Sequence, residues 1–449
     1  MIIKNRLALE KSELRRHALD LIETGIKRVM PQCIMESALQ YDSSSRTVRI
    51  SGNSFNLKGR LFVIGGGKAS GPMAEAAERI IGIENITAGV VSSKNGSRRT
   101  KKIRVISAGH PIPDARGVRA VKAMMAVKDD YSIARDDLVI CLLSGGGSAL
   151  MPYPVEGVSL ADMQEMTELL LASGADISEI NVIRKHLSQV KGGNLGRHFA
   201  PAKVVSLILS DVVGDDITAI ASGPTAADPS TFEDAYKILS GYHLWQKMPP
   251  GAANYLIRGY RSELPETPKT LDNCSNYIIG DNRLALEAMK ERAAALGHRP
   301  CILTAELTGD PGVVAQSMAR RIIRSGTGYD VFLAGGETTV KLPAGTGKGG
   351  RNQHYAAASI CIMKDYACEW LVACAGTDGS DYMPGVAGAI VDRRTWDEIC
   401  QKEIDVDSYL KKYDSYTLLN KIGGSLILSS DTGTNVGDII IYMLGKKPG

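Results

Sequence analysis

Five stretches set glycines beside Lys, Ser, Asp, Glu or Thr directly after short apolar runs: VIGGGKAS (63–70), LLSGGGSA (142–149), LILSDVVGDD (207–216), LAGGETT (333–339) and CAGTDGSD (374–381). Glycine lets a backbone approach a ligand closely, and a helix opening after it offers unpaired N–H groups and a partial positive charge, a combination suited to phosphate. Gly66 and Gly67, Ser144, Gly145 and Gly146, together with Lys191 and Asn352, are the candidate substrate or nucleotide contacts, and Lys68 adds a point charge. Motifs of fixed spacing are absent. Ala69 rather than Ser or Thr follows Lys68, and Gly349 follows Lys348 in GTGKGGRNQ (345–353), so neither segment is a P-loop. Neither glycine run completes G-x-G-x-x-G, whose third glycine position holds Ser70 in one and Leu150 in the other.

Asp211, Asp215, Asp216, Glu337, Asp378 and Asp381 all follow the apolar runs. Carboxylates there either ligate a hard cation such as magnesium or cap helices and turns. Arg351, with Asn352 beside it, opens the helical pattern QHYAAASICI. An arginine at a helix N-terminus opposes the dipole unless an anion sits there, and its fork suits carboxylate or phosphate. In NVIRKHLSQVKGGNLGR (181–197), Asn181 with Lys185 and Arg184 with Ser188 are i,i+4 pairs on a helix that Gly192 should end. Periodicity alone favours a charged surface helix, with Lys191 complementing its C-terminal dipole.

Elements must position these residues. An amphipathic helix is expected over 12–29, followed by strand-length apolar runs alternating with helical patterns, the signature of a parallel sheet covered on both faces. The segment 241–268 carries Gly, Pro, Tyr and charge without a strand signal and separates a second alternation. At 449 residues the chain exceeds a single core, and the expected division is 1–260, a Rossmann-like parallel-sheet domain, and 261–449, a smaller α/β domain. The 44% hydrophobic and 23% charged composition is globular, and a formal charge of +4 is small for this length. The densest basic run, Arg98 to Lys102 with Arg104, has no interleaved aromatics, so nucleic acid is not expected. No window reaches a membrane span and no secretory signal precedes the first helix, which points to a cytoplasmic protein. The eight cysteines form no C-x-x-C and the histidines no H-E-x-x-H, arguing for free thiols and against a zinc site.

GGGKAS, SAGHPIPDARG, SGGGSAL, NVIRKHLSQVKGGNLG, LSDVVGDDITAIASGPTAADPST, GGETTV, GKGGRNQ, GTDGSD and DTGTNVGD, in this order from Leu61 onward, together resemble the glycerate 2-kinase family of the MOFRL type. Parts of that family also carry an older hydroxypyruvate reductase label. The resemblance implies ATP-dependent phosphorylation of D-glycerate at its 2-hydroxyl, in a cleft between a Rossmann-like domain and a C-terminal domain, with ATP as substrate and magnesium as cofactor. It also implies that Lys68 and Arg351 are essential basic residues and that Asp211, Glu337 and Asp378 are active-site acids. Asp211 is then the proton acceptor or, with Glu337 and Asp378, a metal ligand. The chain departs from the family's usual form in YMPGVAGA after Asp381 and at Ser430 and Asp431. A 2-hydroxy-acid reductase and a non-catalytic anion-binding regulatory protein are the alternatives, and monomer and homodimer both remain open.

Overall fold

Each apolar run before a glycine cluster forms a strand in the computed structural model, which describes residues 1–96, 99–324, 328–340, 342–343 and 345–445. Arg98 of the basic run lies outside the described residues. The chain divides into two compact units, one of residues 31–279 and one of 1–30 with 280–449.

The unit of residues 31–279 begins with a small antiparallel meander of β1 (Leu39–Asp42), β2 (Thr47–Ile50) and β3 (Asn53–Asn56). Its main sheet contains β4 (Leu61–Gly66), β5 (Ala88–Ser93), β6 (Ile103–Ser107), β7 (Leu138–Ser144), β8 (Lys203–Leu209) and β9 (Cys274–Gly280) in the order β6-β5-β4-β7-β8-β9. The paired strands β6 through β8 run parallel. β4 and β7 are buried along their whole length, as strands covered on both faces must be. From β4 the chain winds outward through β5 and β6, then restarts at β7 and winds the other way. The reversal lies between β4 and β7, and such a switch point leaves a crevice outside the carboxyl ends of the two strands. GGGK and SGGG are the residues at those two ends.

The second alternation conceals a different sheet. β10 (Pro300–Leu307), β11 (Val331–Gly336), β12 (Trp370–Gly376), β13 (Val386–Asp392), β14 (Leu426–Leu428) and β15 (Asp438–Leu444) take the order β10-β11-β15-β12-β13-β14. β10 and β11 are parallel and the remaining neighbours antiparallel. The last strand inserts between β11 and β12, which local pattern does not reveal.

The division differs from the expected boundary at residue 260. The helix Glu13–Arg28, capped by Ser12, turns its apolar face (Leu19, Leu21, Ile22, Ile26) inward and packs on the helix Asn282–Ala295 and on β15. Gly25 permits this approach, since a Cβ there would lie 2.7 Å from Met289 Sδ. Arg15 forks onto Asp392 at 2.6 and 3.0 Å. The segment 241–268 is likewise no linker. Its helix Pro250–Tyr260 joins Leu160–Ser173, Ile177–His186 and Phe232–Gly241 around a core of Met166, Ile183, Leu239 and Leu256. All eight cysteines are free, and among the described residues no helix is long and apolar enough to cross a membrane.

Candidate functional site

The two glycine turns at the switch point are joined by backbone. Gly67 N–H donates to Ser92 O (3.1 Å), Lys68 N–H to Gly145 O (2.8 Å) and Ala69 N–H to Ser144 Oγ (2.9 Å). Gly67 adopts φ +151°, and a Cβ there would collide with Ser144 Oγ, so only glycine fits. Ser144, 1% exposed, is therefore committed to positioning the Lys68 loop. Gly66 is a packing glycine, its absent Cβ leaving room for Met151.

Gly145 and Gly146 are placed differently. A Cβ on Gly145 would collide with the Asp211 carboxylate, and one on Gly146 would lie 2.8 Å from His110 Cδ2 and 3.1 Å from Lys68 Cγ. Lys68, His110 and Asp211 thus gather around one turn. His110, which spacing did not single out although it stands in SAGHPIPDARG, is held neutral: burial, then Lys68 and Lys94, bring its pKa down to about 4. Asp216 is a turn former, accepting Thr218 N–H at 2.8 Å, and Asp215 sits in the left-handed region at φ +55°.

Lys191 belongs to the same neighbourhood. Only 1% exposed, it donates from Nζ to Ser148 O (2.8 Å) and Met151 O (3.3 Å), pinning the segment after the SGGG turn. Burial, then Arg184, push its pKa down to about 7. The expected charged surface helix is not found. The helix Ile177–His186 ends well before Gly192, and Asn181 and Lys185 are buried, Lys185 against Asp228 at 3.2 Å. Ser222 Oγ bridges Asn181 Oδ1 (3.2 Å) to Ser148 Oγ (2.7 Å), and both Ala221 (φ +52°) and Ser222 (φ +61°) occupy the left-handed region. Non-glycine residues held there store strain, which concentrates at functional sites. Neither was legible from spacing.

In the other unit Arg351 opens the helix Arg351–Met363, and the anion that its position demands is supplied by the chain itself. Its fork meets Asp438 bidentately, Nε–Oδ2 at 2.6 Å and Nη2–Oδ1 at 3.0 Å, while Nη1 lies 3.1 Å from Glu337. Asn352 Nδ2 also donates to Asp438 (2.8 Å). Asp381 caps the helix, accepting the N–H groups of Asn352 (3.0 Å) and Gln353 (2.9 Å). Burial outweighs these bonds and, with Asp438 nearby, raises Asp381 to about 6. Sequence reasoning missed Asp438. It ends DTGTNVGD, but it opens an antiparallel strand, opposite Gly336 and Gly376, so a search at the carboxyl ends of strands passes over it.

Of the expected metal set, Asp211 belongs to one unit and Glu337 and Asp378 to the other. Among the described residues no three His, Cys, Asp or Glu side chains group to hold an ion. Glu337 is paired with Arg351, and Asp378 accepts the Ser380 N–H (2.9 Å) in its own turn. The two loops that depart from the family's form pack together. Ser429 N–H, next to Ser430, donates to Gly385 O (3.1 Å), and a Cβ on Gly379 would collide with Ser430 O.

Residues 17–257 match a family described as a domain of unknown function (DUF4147), and residues 330–438 match the MOFRL family. The chain is 40% identical to a glycerate 2-kinase from Pyrococcus horikoshii, over 97% of this chain and 99% of that one. It is also 40% identical to a putative hydroxypyruvate reductase from Agrobacterium vitis, over 86% of this chain and all of that one. The crystal structure of a Thermotoga maritima glycerate kinase superposes with a TM-score of 0.83 at 34% identity, covering 96% of this chain and 99% of that one.

Proposed function

The chain belongs to the glycerate kinase family of the MOFRL type, and from that premise we propose that it transfers the γ-phosphoryl group of ATP to the 2-hydroxyl of D-glycerate, giving 2-phosphoglycerate and ADP. The observation that carries this reading is the gathering of Lys68, His110 and Asp211 about the SGGG turn at the sheet's switch point. Phosphoryl transfer needs positioning and charge neutralisation more than covalent chemistry, and this turn offers glycine backbone, a cation and a carboxylate. Lys68 binds the transferring phosphate. Asp211 accepts the proton of the 2-hydroxyl or orients it. Magnesium, which kinases hold through one or two carboxylates plus substrate phosphates, would take Asp211 as its protein ligand here and supply charge neutralisation. In the other unit Arg351 is the candidate basic residue, its fork held by Asp438 with Glu337 beside it. The enzyme works in the cytoplasm, as a monomer or homodimer.

ATP consumption with and without D-glycerate, with the product identified by phosphorus NMR, tests the reaction. Phosphate at the 3-position, or none transferred, overturns it. The reductase reading lacks a dinucleotide fingerprint, and oxidation of a reduced nicotinamide by hydroxypyruvate would restore it.

Asp211→Asn should lower kcat by ~10²-fold or more, the range for losing a positioned general base, and shift the magnesium titration if the carboxylate ligates the ion. An unchanged rate and titration would return Asp211 to the role of a turn residue.

A further inference from the structure

Behind the SGGG turn lies a cavity of about 400 Å³, formed within the unit of residues 31–279. Ile112, Met163 and Leu171 form part of its apolar wall, and His110, Arg184 and Lys191 contribute its basic side. Arg184 is half-buried, yet among the described residues it has neither a hydrogen bond nor an ion-pair partner. Lys191, 1% exposed, meets only carbonyl oxygens. Glu168 also lines the cavity but, among the described residues, makes no ion pair with either residue, and a guanidinium withdrawn from water beside a second basic group is unfavourable unless an anion completes the site. Arg351, in the other unit, by contrast has its fork filled by Asp438 and Glu337. A guanidinium with its fork open matches a carboxylate bidentately, and a three-carbon hydroxy acid has one carboxylate to offer.

We propose that Arg184, backed by Lys191, binds the carboxylate of the acid substrate in this cavity and sets the preference for an acid over a neutral polyol. This rests on the kinase reading above. Gly146 forms part of the same wall, so an acid anchored at Arg184 extends its hydroxyl toward the turn where Lys68 and Asp211 meet. Burial of Lys191 and partial burial of Arg184 lower the local dielectric and strengthen the ion pair.

Initial rates of the full-length enzyme, with D-glycerate and ATP varied separately, test the assignment in Arg184→Met and Arg184→Lys. Arg184→Met should raise the glycerate KM by ~30-fold or more, as for truncating one partner of a desolvated charge pair, and leave the ATP KM within ~2-fold. The wild-type preference for glycerate over glycerol, measured as the ratio of kcat/KM, should collapse in Arg184→Met and recover partly in Arg184→Lys. A structural role would lower both substrates alike and leave that ratio intact. Unchanged glycerate KM, or a rise in ATP KM instead, overturns the proposal, the second by assigning the cavity to nucleotide. Calorimetric titration of D-glycerate without nucleotide separates the two readings. Binding by the wild type that Arg184→Met abolishes upholds the anion site even if no phosphate is transferred, whereas transfer with binding unaffected by Arg184→Met rejects the site and keeps the kinase.

Discussion

Lys68→Ala should fold like the parent and lose ~10²–10³-fold in kcat, the range for removing one preorganised partner of transition-state charge. The backbone bonds that set the loop survive the change, because alanine keeps the N–H that reaches Gly145 O and the neighbouring Ala69 N–H still meets Ser144 Oγ. The variant therefore removes charge with little change in geometry. A second readout follows from electrostatics. Lys68 is one of the cations that depress His110, so its removal should move the His110 titration, followed by NMR, from about 4 toward the ordinary histidine range. A folded variant with near-parental turnover would remove Lys68 from the chemistry. Loss of turnover with an unmoved His110 would show that the amine stands elsewhere than at this turn.

Asp438→Ala should cost stability as well as activity. It leaves the Arg351 guanidinium without its bidentate partner and Asn352 Nδ2 without its shortest bond, in a place where Asp438 is 2% exposed. Breaking a buried pair costs ~3–5 kcal/mol, and because the Arg351 side chain keeps 32% exposure and retains Glu337, roughly 2–4 kcal/mol is expected. For a unit of this size that is about 5–15 °C in Tm, readable by calorimetry. Arg351→Lys tests the same contact from the other side. It keeps the charge but cannot span two oxygens of Asp438 while reaching Glu337, so activity should fall with a smaller loss of stability. If Asp438→Ala melts with the parent and turns over normally, the fork is incidental.

Much of the proposed site was legible because it sits where parallel strands end. Lys68, Gly145 and Asp211 follow apolar runs, and the expectation that such ends converge holds for these three, within one sheet. Arg351 was legible for a different reason: a cation at a helix N-terminus requires an anion. The anion's identity was not, because Asp438 is distant in sequence and opens a strand of opposite direction. The helix carrying Arg184 misled for a third reason. Its polar residues at i,i+4 look solvated until the 222–228 segment covers them, and no local periodicity records that cover.

By itself the amino-acid sequence determined the element types, the alternation, the glycine turns and the family, since these depend on local period, backbone freedom and ordered motifs. Tertiary structure alone decided which elements became neighbours. It drew the first helix onto the C-terminal unit, because an amphipathic face needs a partner but does not name one. It threaded the last strand between β11 and β12, and with it placed Asp438 in the Arg351 fork. It left Arg184 and Lys191 together in one cavity without an ion-pair partner among the described residues, because whether a cation is paired depends on burial and on the residues of other segments, and neither is encoded at its own position.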